Sequence, residues 1–241
     1  MSSGTRVRPR GQPGTRTPLP RVCLPAPFSL VVYTTILGKT DRFKPPAVVN
    51  PAIRYVCFTD QPTLVTAPYE RVVVSLGQGD GKLLSREIKI RSDHPALGSP
   101  EVTLWHDAAF RLLVDPVQLL SYIQRGAEMV ALRHPHRNSI EEEATSVAGW
   151  GWIPRDVLQR QIATYRAAGF TARTRITSTG ICLRRLNDRV RAFNAAWWAE
   201  VQQWGYRDQM SIDYTLWKHH VRVEYMQGHY RVNPYARWHA W

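Results

Sequence analysis

Apolar and polar positions along this chain follow two rhythms, and the switches between them mark out the elements. Residues 29–35, 54–60 and 70–74 are runs of β-branched, aliphatic and aromatic side chains without a helical period. Such runs predict buried strands. Over residues 82–93 the rhythm changes. Leu83, Leu84, Ile88 and Ile90 recur among Arg86, Glu87, Lys89 and Arg91, which predicts a helix with a cationic polar side, ended by Pro95 and Gly98. Residues 102–105 form the next strand, and residues 110–114 are short and apolar. Asp115 and Pro116 supply an N-cap and a first helical residue for a helix to about Gln124, closed by Gly126. A strand over 128–132 follows. Ser139 and Glu142 have capping-box spacing for a helix from Ile140, and residues 154–168 read as another helix. A strand over 177–184 leads to a long helix that Asn187 caps and Gly205 closes. A further helix starts at Arg207-Asp208-Gln209, and a last strand covers 221–225, before an aromatic and polar tail. Strands alternating with helices favour an α/β layered fold.

Composition adds limits. The 241 residues suffice for one large domain or two small ones. The formal charge is +13, and Arg6, Arg8, Arg10, Arg16 and Arg21 stand in a leader without acids; removing these five leaves +8 on the rest. We expect a disordered basic Pro/Arg-rich tail over residues 1–27 and a single domain over 28–241. An excess of +8 suits a protein that handles anionic ligands, either nucleotide phosphates or a polyanion. The cysteines Cys23, Cys57 and Cys182 are odd in number and widely spaced, which fits reduced thiols in a cytoplasmic protein and no zinc or redox motif. No apolar run is long enough to span a bilayer.

The candidate chemistry centres on Asp107. It follows the strand over 102–105, and in open α/β sheets ligands bind outside the carboxyl ends of the strands. A carboxylate there can hold a metal ion bound to a phosphate, or simply end a strand. Arg86 and Lys89 are three apart, on one helical face; they meet phosphates or form a solvated cationic surface. Thr34 and Asp60 stand at the ends of the first two strands, where a base or ribose would approach, although Asp60 also suits a turn cap. His134, His136 and Arg137 follow a strand end and would line a phosphate or acceptor pocket, with Glu142 as a structural partner. Asp208 is either a helix N-cap or an acceptor-side group, including a general base. Trp150 and Trp152, between glycines, suit stacking on a sugar or an ordinary apolar cluster.

Taken in order, Thr59-Asp60, Ser85-Arg86-Glu87-Ile88-Lys89, Trp105-His106-Asp107, His134-Pro135-His136-Arg137 with Glu142, and Arg207-Asp208-Gln209 resemble a glycosyltransferase-like domain family. That family was first catalogued as of unknown function and later associated with plant mucilage polysaccharide synthesis and a turgor-related protein; it has bacterial relatives. The resemblance covers roughly residues 29–225. It implies a GT-A-like nucleotide-binding sandwich, with a central mixed, mostly parallel sheet flanked by helices. It also implies a glycosyltransferase that moves a sugar from a nucleotide-diphosphate donor, UDP-sugars foremost, to a glycan or other hydroxyl acceptor. Such enzymes usually hold Mn²⁺ or Mg²⁺ through Asp-x-Asp. Here Asp107-Ala108-Ala109 keeps only the first Asp; the resemblance implies that His229 completes the metal or diphosphate site beside Asp107, and the other reading is a surface histidine in an aromatic tail. Two other readings stay open: a non-catalytic basic nucleic-acid-binding protein, and a degenerate GT-A fold that binds nucleotide or glycan without turnover.

Overall fold

A computed structural model describes residues 29–38, 43–77, 79–171 and 175–239. The basic leader over 1–27, Cys23, Gln78 and part of the polar loop at 36–41 lie outside the described residues.

The apolar runs become the middle of a sheet. β1 (Leu30–Ile36) and β4 (Val102–His106) are buried along their whole length. Continuous apolar runs are what a strand covered on both faces requires. β2 (Arg54–Thr59) and β3 (Glu70–Val73) extend the sheet to an edge, where β3 becomes mostly exposed. The remaining members are β6 (Met129–Arg133), β7 (Thr177–Arg185) and β8 (Val223–His229), giving a seven-stranded order β3-β2-β1-β4-β7-β6-β8. Only β7 runs against its neighbours. The expected α/β sandwich with a mixed, mostly parallel sheet is therefore present.

The chain steps outward from β1 through β2 to β3. It then returns through α1 (Gly81–Arg91) to place β4 on the other side of β1. Strand order reverses between β1 and β4, and the connections diverge there, leaving a crevice at the carboxyl ends of those two strands.

Both faces of the sheet are covered. On one face Val31, Tyr33 and Trp105 pack against α1 and against α5 (Asp188–Trp204). The buried side of α5 is Val190, Phe193, Asn194, Trp197, Trp198 and Val201, a spacing of three and four that forms one stripe. On the other face Val32, Leu104 and Leu183 meet α2 (Leu120–Gln124) and a small second sheet. A third cluster joins α3 (Ile140–Gly149), α4 (Arg155–Ala167) and α6 (Ile212–Lys218) through Ile140, Leu158, Tyr165 and Tyr214.

Several boundaries differ from expectation. α1 starts at Gly81, because the Asp80 carboxylate accepts the Lys82 N–H at 2.8 Å. The last strand of the main sheet reaches His229, and the aromatic tail folds back as β9 (Ala236–Trp238), antiparallel to β5 (Phe110–Leu112). Asp208 is not a cap: it opens a short 3₁₀ turn, Asp208–Met210, and no side-chain cap bond is made there.

One buried cation fixes α1 in depth. Arg184 on β7 is fully buried; its guanidinium donates to the Ile90 carbonyl (2.7 Å), the Lys89 carbonyl, Asn194 Oδ1 (2.9 Å) and the Tyr33 hydroxyl (2.7 Å). The last carbonyls of a helix lack intrahelical partners, and Arg184 supplies them from the sheet. That bond set sets where the polar side of α1 meets the crevice.

Candidate active site

The crevice is one cleft with two lobes. The first, of about 300 Å³, is lined by Thr35, Lys82, Ser85, Arg86, Trp152 and Tyr206 among others. The second, of about 360 Å³, is lined by His134, Trp150, Gly180, Arg207, Asp208 and Tyr230 among others. Arg86, Asp107, Ala109 and Trp152 line both. Another groove of similar volume lies beside α6 and β8, lined by Phe170, Trp217 and Tyr225, and holds none of the expected site residues. Chemistry, not size, singles out the two-lobed cleft.

Asp107 stands at its centre. The β7 backbone holds it in place: its N–H donates to the Gly180 carbonyl at 2.8 Å. Its Oδ1 accepts the Trp105 indole N–H at 2.8 Å and faces the Lys89 ammonium at 3.5 Å. The side chain remains 34% exposed. Gly180 is needed here: a Cβ on it would come within 2.5 Å of the Phe110 ring and 3.4 Å of Asp107 Oδ2.

Lys89 is not a phosphate contact. Its side chain is 1% exposed, and its ammonium lies 2.7 Å from Asp208 Oδ2, forming an ion pair without aligned hydrogen-bond geometry. It also lies 5.7 Å from the centre of the Trp105 ring. Arg86, one turn earlier and partly exposed, approaches Asp208 Oδ1 at 3.5 Å. Lys82, two turns before Lys89, is exposed over Tyr206. One cationic stripe on α1 thus runs from solvent at Lys82 to the core at Lys89.

Asp208 is 1% exposed. Burial pushes its pKa up, but Lys89, Arg86 and Arg207 outweigh that and hold it well below the usual carboxylate range. A carboxylate held that low by surrounding cations is a weak proton acceptor. Asp208 thus anchors cations, and the general-base role expected from its position does not suit it.

The second lobe has its own buried acid. Glu143 on α3 is fully buried and receives Arg207 (Nε 2.7 Å, Nη2 2.6 Å) and Arg137 (3.5 Å). Glu142, the expected partner of Arg137, instead accepts the Asn138 N–H at 2.9 Å. Arg207 also lies beneath Trp150 and Trp152, at 6.0 and 5.5 Å from their ring centres. Those rings are 50% and 43% exposed and 4.7 Å apart. His134 Nδ1 accepts the backbone N–H groups of His136 and Arg137, which leaves Nε2 as the protonated nitrogen. Burial, then the neighbouring Arg137 and Arg207, pull its pKa down to about 4, so it is neutral at physiological pH.

Other expected residues fall elsewhere. Thr34 is buried on the opposite face of β1; its neighbour Thr35 lines the cleft and bonds Ser85 Oγ at 2.6 Å. Asp60 accepts the Gly38 N–H at 3.0 Å, bracing the loop after β1. His229 accepts the Arg231 N–H and is not among the residues lining either lobe. Sequence reasoning missed Thr35, Lys82, Glu143 and Gly180. It quoted Trp105 and Arg207 only as parts of motifs. The alternation of side chains along β1 and the three-and-four spacing of Lys82, Ser85, Arg86 and Lys89 were the available signals.

The donor set can be tested against a divalent metal. Among the described residues no group of three His, Cys, Asp or Glu could hold one. Asp208 is taken up by cations, and Asp107 Oδ1 already has two donors. Sites for Mg²⁺ or Mn²⁺ gather anionic oxygens. These residues do not fit one.

Among the described residues no helix is long and apolar enough to cross a membrane. The chain is 23% identical over 242 residues to a protein of Arabidopsis thaliana named "Alkaline ceramidase TOD1", with 86% of this chain and 52% of that protein covered. It spans about half the length of that relative. A solved structure titled "WbbM bifunctional glycosytransferase apo structure" overlays with a TM-score of 0.47 at 10% identity, over 82% of this chain and 38% of that one. The family described as TOD1/MUCI70, glycosyltransferase-like domain, matches residues 92–235, from the end of α1 to the start of β9 and through Asp107, His134, Glu143 and Asp208. That match spans well over half of the 241 residues, and the chain belongs to the TOD1/MUCI70 glycosyltransferase-like domain family.

Proposed function

We propose that the chain transfers a sugar from a nucleoside-diphosphate donor, UDP-sugars first, to a hydroxyl of a glycan or another acceptor. The observation that carries this reading is Asp107: a partly exposed carboxylate on the floor shared by both lobes. The lobe beside α1 carries Lys82 and Arg86 for a diphosphate. The other lobe carries Trp150, Trp152 and Tyr230, whose faces suit a sugar ring. In the transfer, the acceptor oxygen bonds to C1 of the donor sugar. The C1–O bond to the diphosphate breaks, and its electron pair leaves with the phosphate. The acceptor proton passes to Asp107, which lies within reach of both lobes.

The test is turnover of a panel of UDP- and GDP-sugars by the purified chain, with glycan acceptors. Asp107→Asn should remove transfer while leaving the fold intact by circular dichroism. Undiminished transfer by that variant rejects the site.

The relative named an alkaline ceramidase supplies a second reading, cleavage of a ceramide. Release of sphingosine from ceramide, with no sugar transfer, would establish it in place of the first. The nucleic-acid reading predicts affinity for DNA or RNA that collapses with salt and vanishes when residues 1–27 are removed.

A further inference from the structure

We propose that this cleft neutralises the diphosphate with fixed cations, Lys82 and Arg86 in the first lobe and Arg207 in the second, and that a divalent metal takes no part. The inference rests on the donor reading above and specifies how the donor is held.

The argument is one of charge and of donors. Lys82, Arg86, Lys89, Arg137 and Arg207 stand against Asp107, Asp208 and Glu143 on or immediately beneath the cleft, with Glu143 shared between Arg207 and Arg137. Among the described residues the balance is positive by two charges before any ligand enters. The two ionised phosphates of a nucleotide sugar match that balance. Adding a dication would raise it further, and a narrow cleft focuses such a field.

The carboxylates tell the same story. A metal-binding carboxylate is normally open to the ion. Here Asp208 is buried against Lys89, with Arg86 on its other oxygen. Asp107 Oδ1 takes the Trp105 N–H, with the Lys89 ammonium also 3.5 Å away. A cation at Asp107 would share that carboxylate with an ammonium that cannot move into solvent, because Lys89 is buried.

The cations are also built into place. Arg207 is clamped by Glu143 through two nitrogens. Arg86 is steered by Asp208. Guanidinium groups held this way present donors in the planar geometry that phosphate oxygens accept. During transfer, the diphosphate gains negative charge as it takes the electron pair of the C1–O bond. The same cations meet it with no metal or co-reactant required.

The test is calorimetric titration of UDP into the full chain, once in EDTA and once in Mn²⁺. We expect dissociation constants within about threefold of each other, and Lys82→Gln and Arg86→Gln each weakening UDP by about tenfold, the loss of one charge-assisted hydrogen bond. Lys82 is exposed, so its variant reports on binding without a folding cost. Asp107→Asn, which removes an anion from the cleft, should bind UDP at least as tightly as the parent in both buffers. Binding seen only with Mn²⁺, and lost in Asp107→Asn, overturns this inference and leaves the transferase reading standing. UDP affinity unmoved by both cation variants overturns it too. No UDP binding in either buffer overturns both readings.

Discussion

Replacing Lys89 by Met probes the electrostatic centre of this fold directly. The two side chains are similar in length, so the substitution keeps the packing and deletes the charge. In the native protein Asp208 is buried 2.7 Å from the Lys89 ammonium, and both side chains are 1% exposed. Removing one partner of a buried pair leaves the other charged and desolvated, which costs about 3–5 kcal/mol. Arg86, 3.5 Å from the other carboxylate oxygen, keeps the loss toward the lower end, about 3 kcal/mol. Asp208→Asn in the same background removes the stranded charge. The double variant should therefore regain about 2 kcal/mol relative to the sum of the single effects, within the range seen for contacting pairs. Urea denaturation of the four proteins of the cycle gives the coupling. The defect of Lys89→Met should also shrink as pH falls toward 4, because without the Lys89 ammonium burial raises the Asp208 carboxyl and protonation then neutralises it. A single variant within about 0.5 kcal/mol of the parent, or a cycle with no coupling, would falsify the claim that these groups form a paired charge centre.

Other outcomes follow from the same geometry. Gly180→Ala pushes a methyl into the Phe110 ring at 2.5 Å beside Asp107 and should cost about 1–3 kcal/mol by thermal or urea unfolding; stability equal to the parent refutes the close approach. His106 is buried and its pKa is lowered from its usual 6.5 to about 4, chiefly by desolvation. A histidine held neutral in the fold but protonated in the unfolded chain gives stability that is complete above pH 6.5 and is lost as pH falls toward 4, to a total of about 3 kcal/mol. Urea midpoints across that range should fall in the parent and flatten in His106→Phe; parallel slopes refute it. Asp208, held below the usual carboxylate range, adds a separate loss that begins only below about pH 4. Trp152→Ala, at the lip of both lobes, should raise the acceptor KM more than it lowers kcat, because an exposed ring contributes binding and not chemistry; an unchanged KM refutes a stacking role.

How much of this was legible in sequence depended on the range of the interaction. Strands β1, β2 and β4 were readable because a strand covered on both faces is largely apolar, and that is a local signal. Helix α5 was readable from its cap and its spacing. The pairing of β5 with β9 was not. Phe110–Leu112 is too short to declare itself, and its partner lies at the far end of the chain. The tail reads only as aromatic and polar because its own residues say nothing of what they cover. On β1 the strand was right and the face was wrong: Thr34 and Thr35 have the same chemistry, and only the register of the sheet decides which of them reaches the cleft.

The α1 stripe shows the same limit in one element. Spacing correctly set Arg86 and Lys89 on one side of a helix. It gave no measure of depth, and depth separates their roles. Lys82 is in solvent, Arg86 is partly covered and Lys89 is inside. A buried lysine is tolerated only with a partner, and that partner, Asp208, arrives from a turn after α5 that propensity reads as a helix cap. The depth itself is set by Arg184, which reaches from β7 to the last carbonyls of α1. The cleft's chemistry therefore depends on a sheet residue that touches none of it. Shortening Arg184 would release the end of α1 and let Lys89 and Asp107 drift apart, even though every residue lining the cleft remained in place.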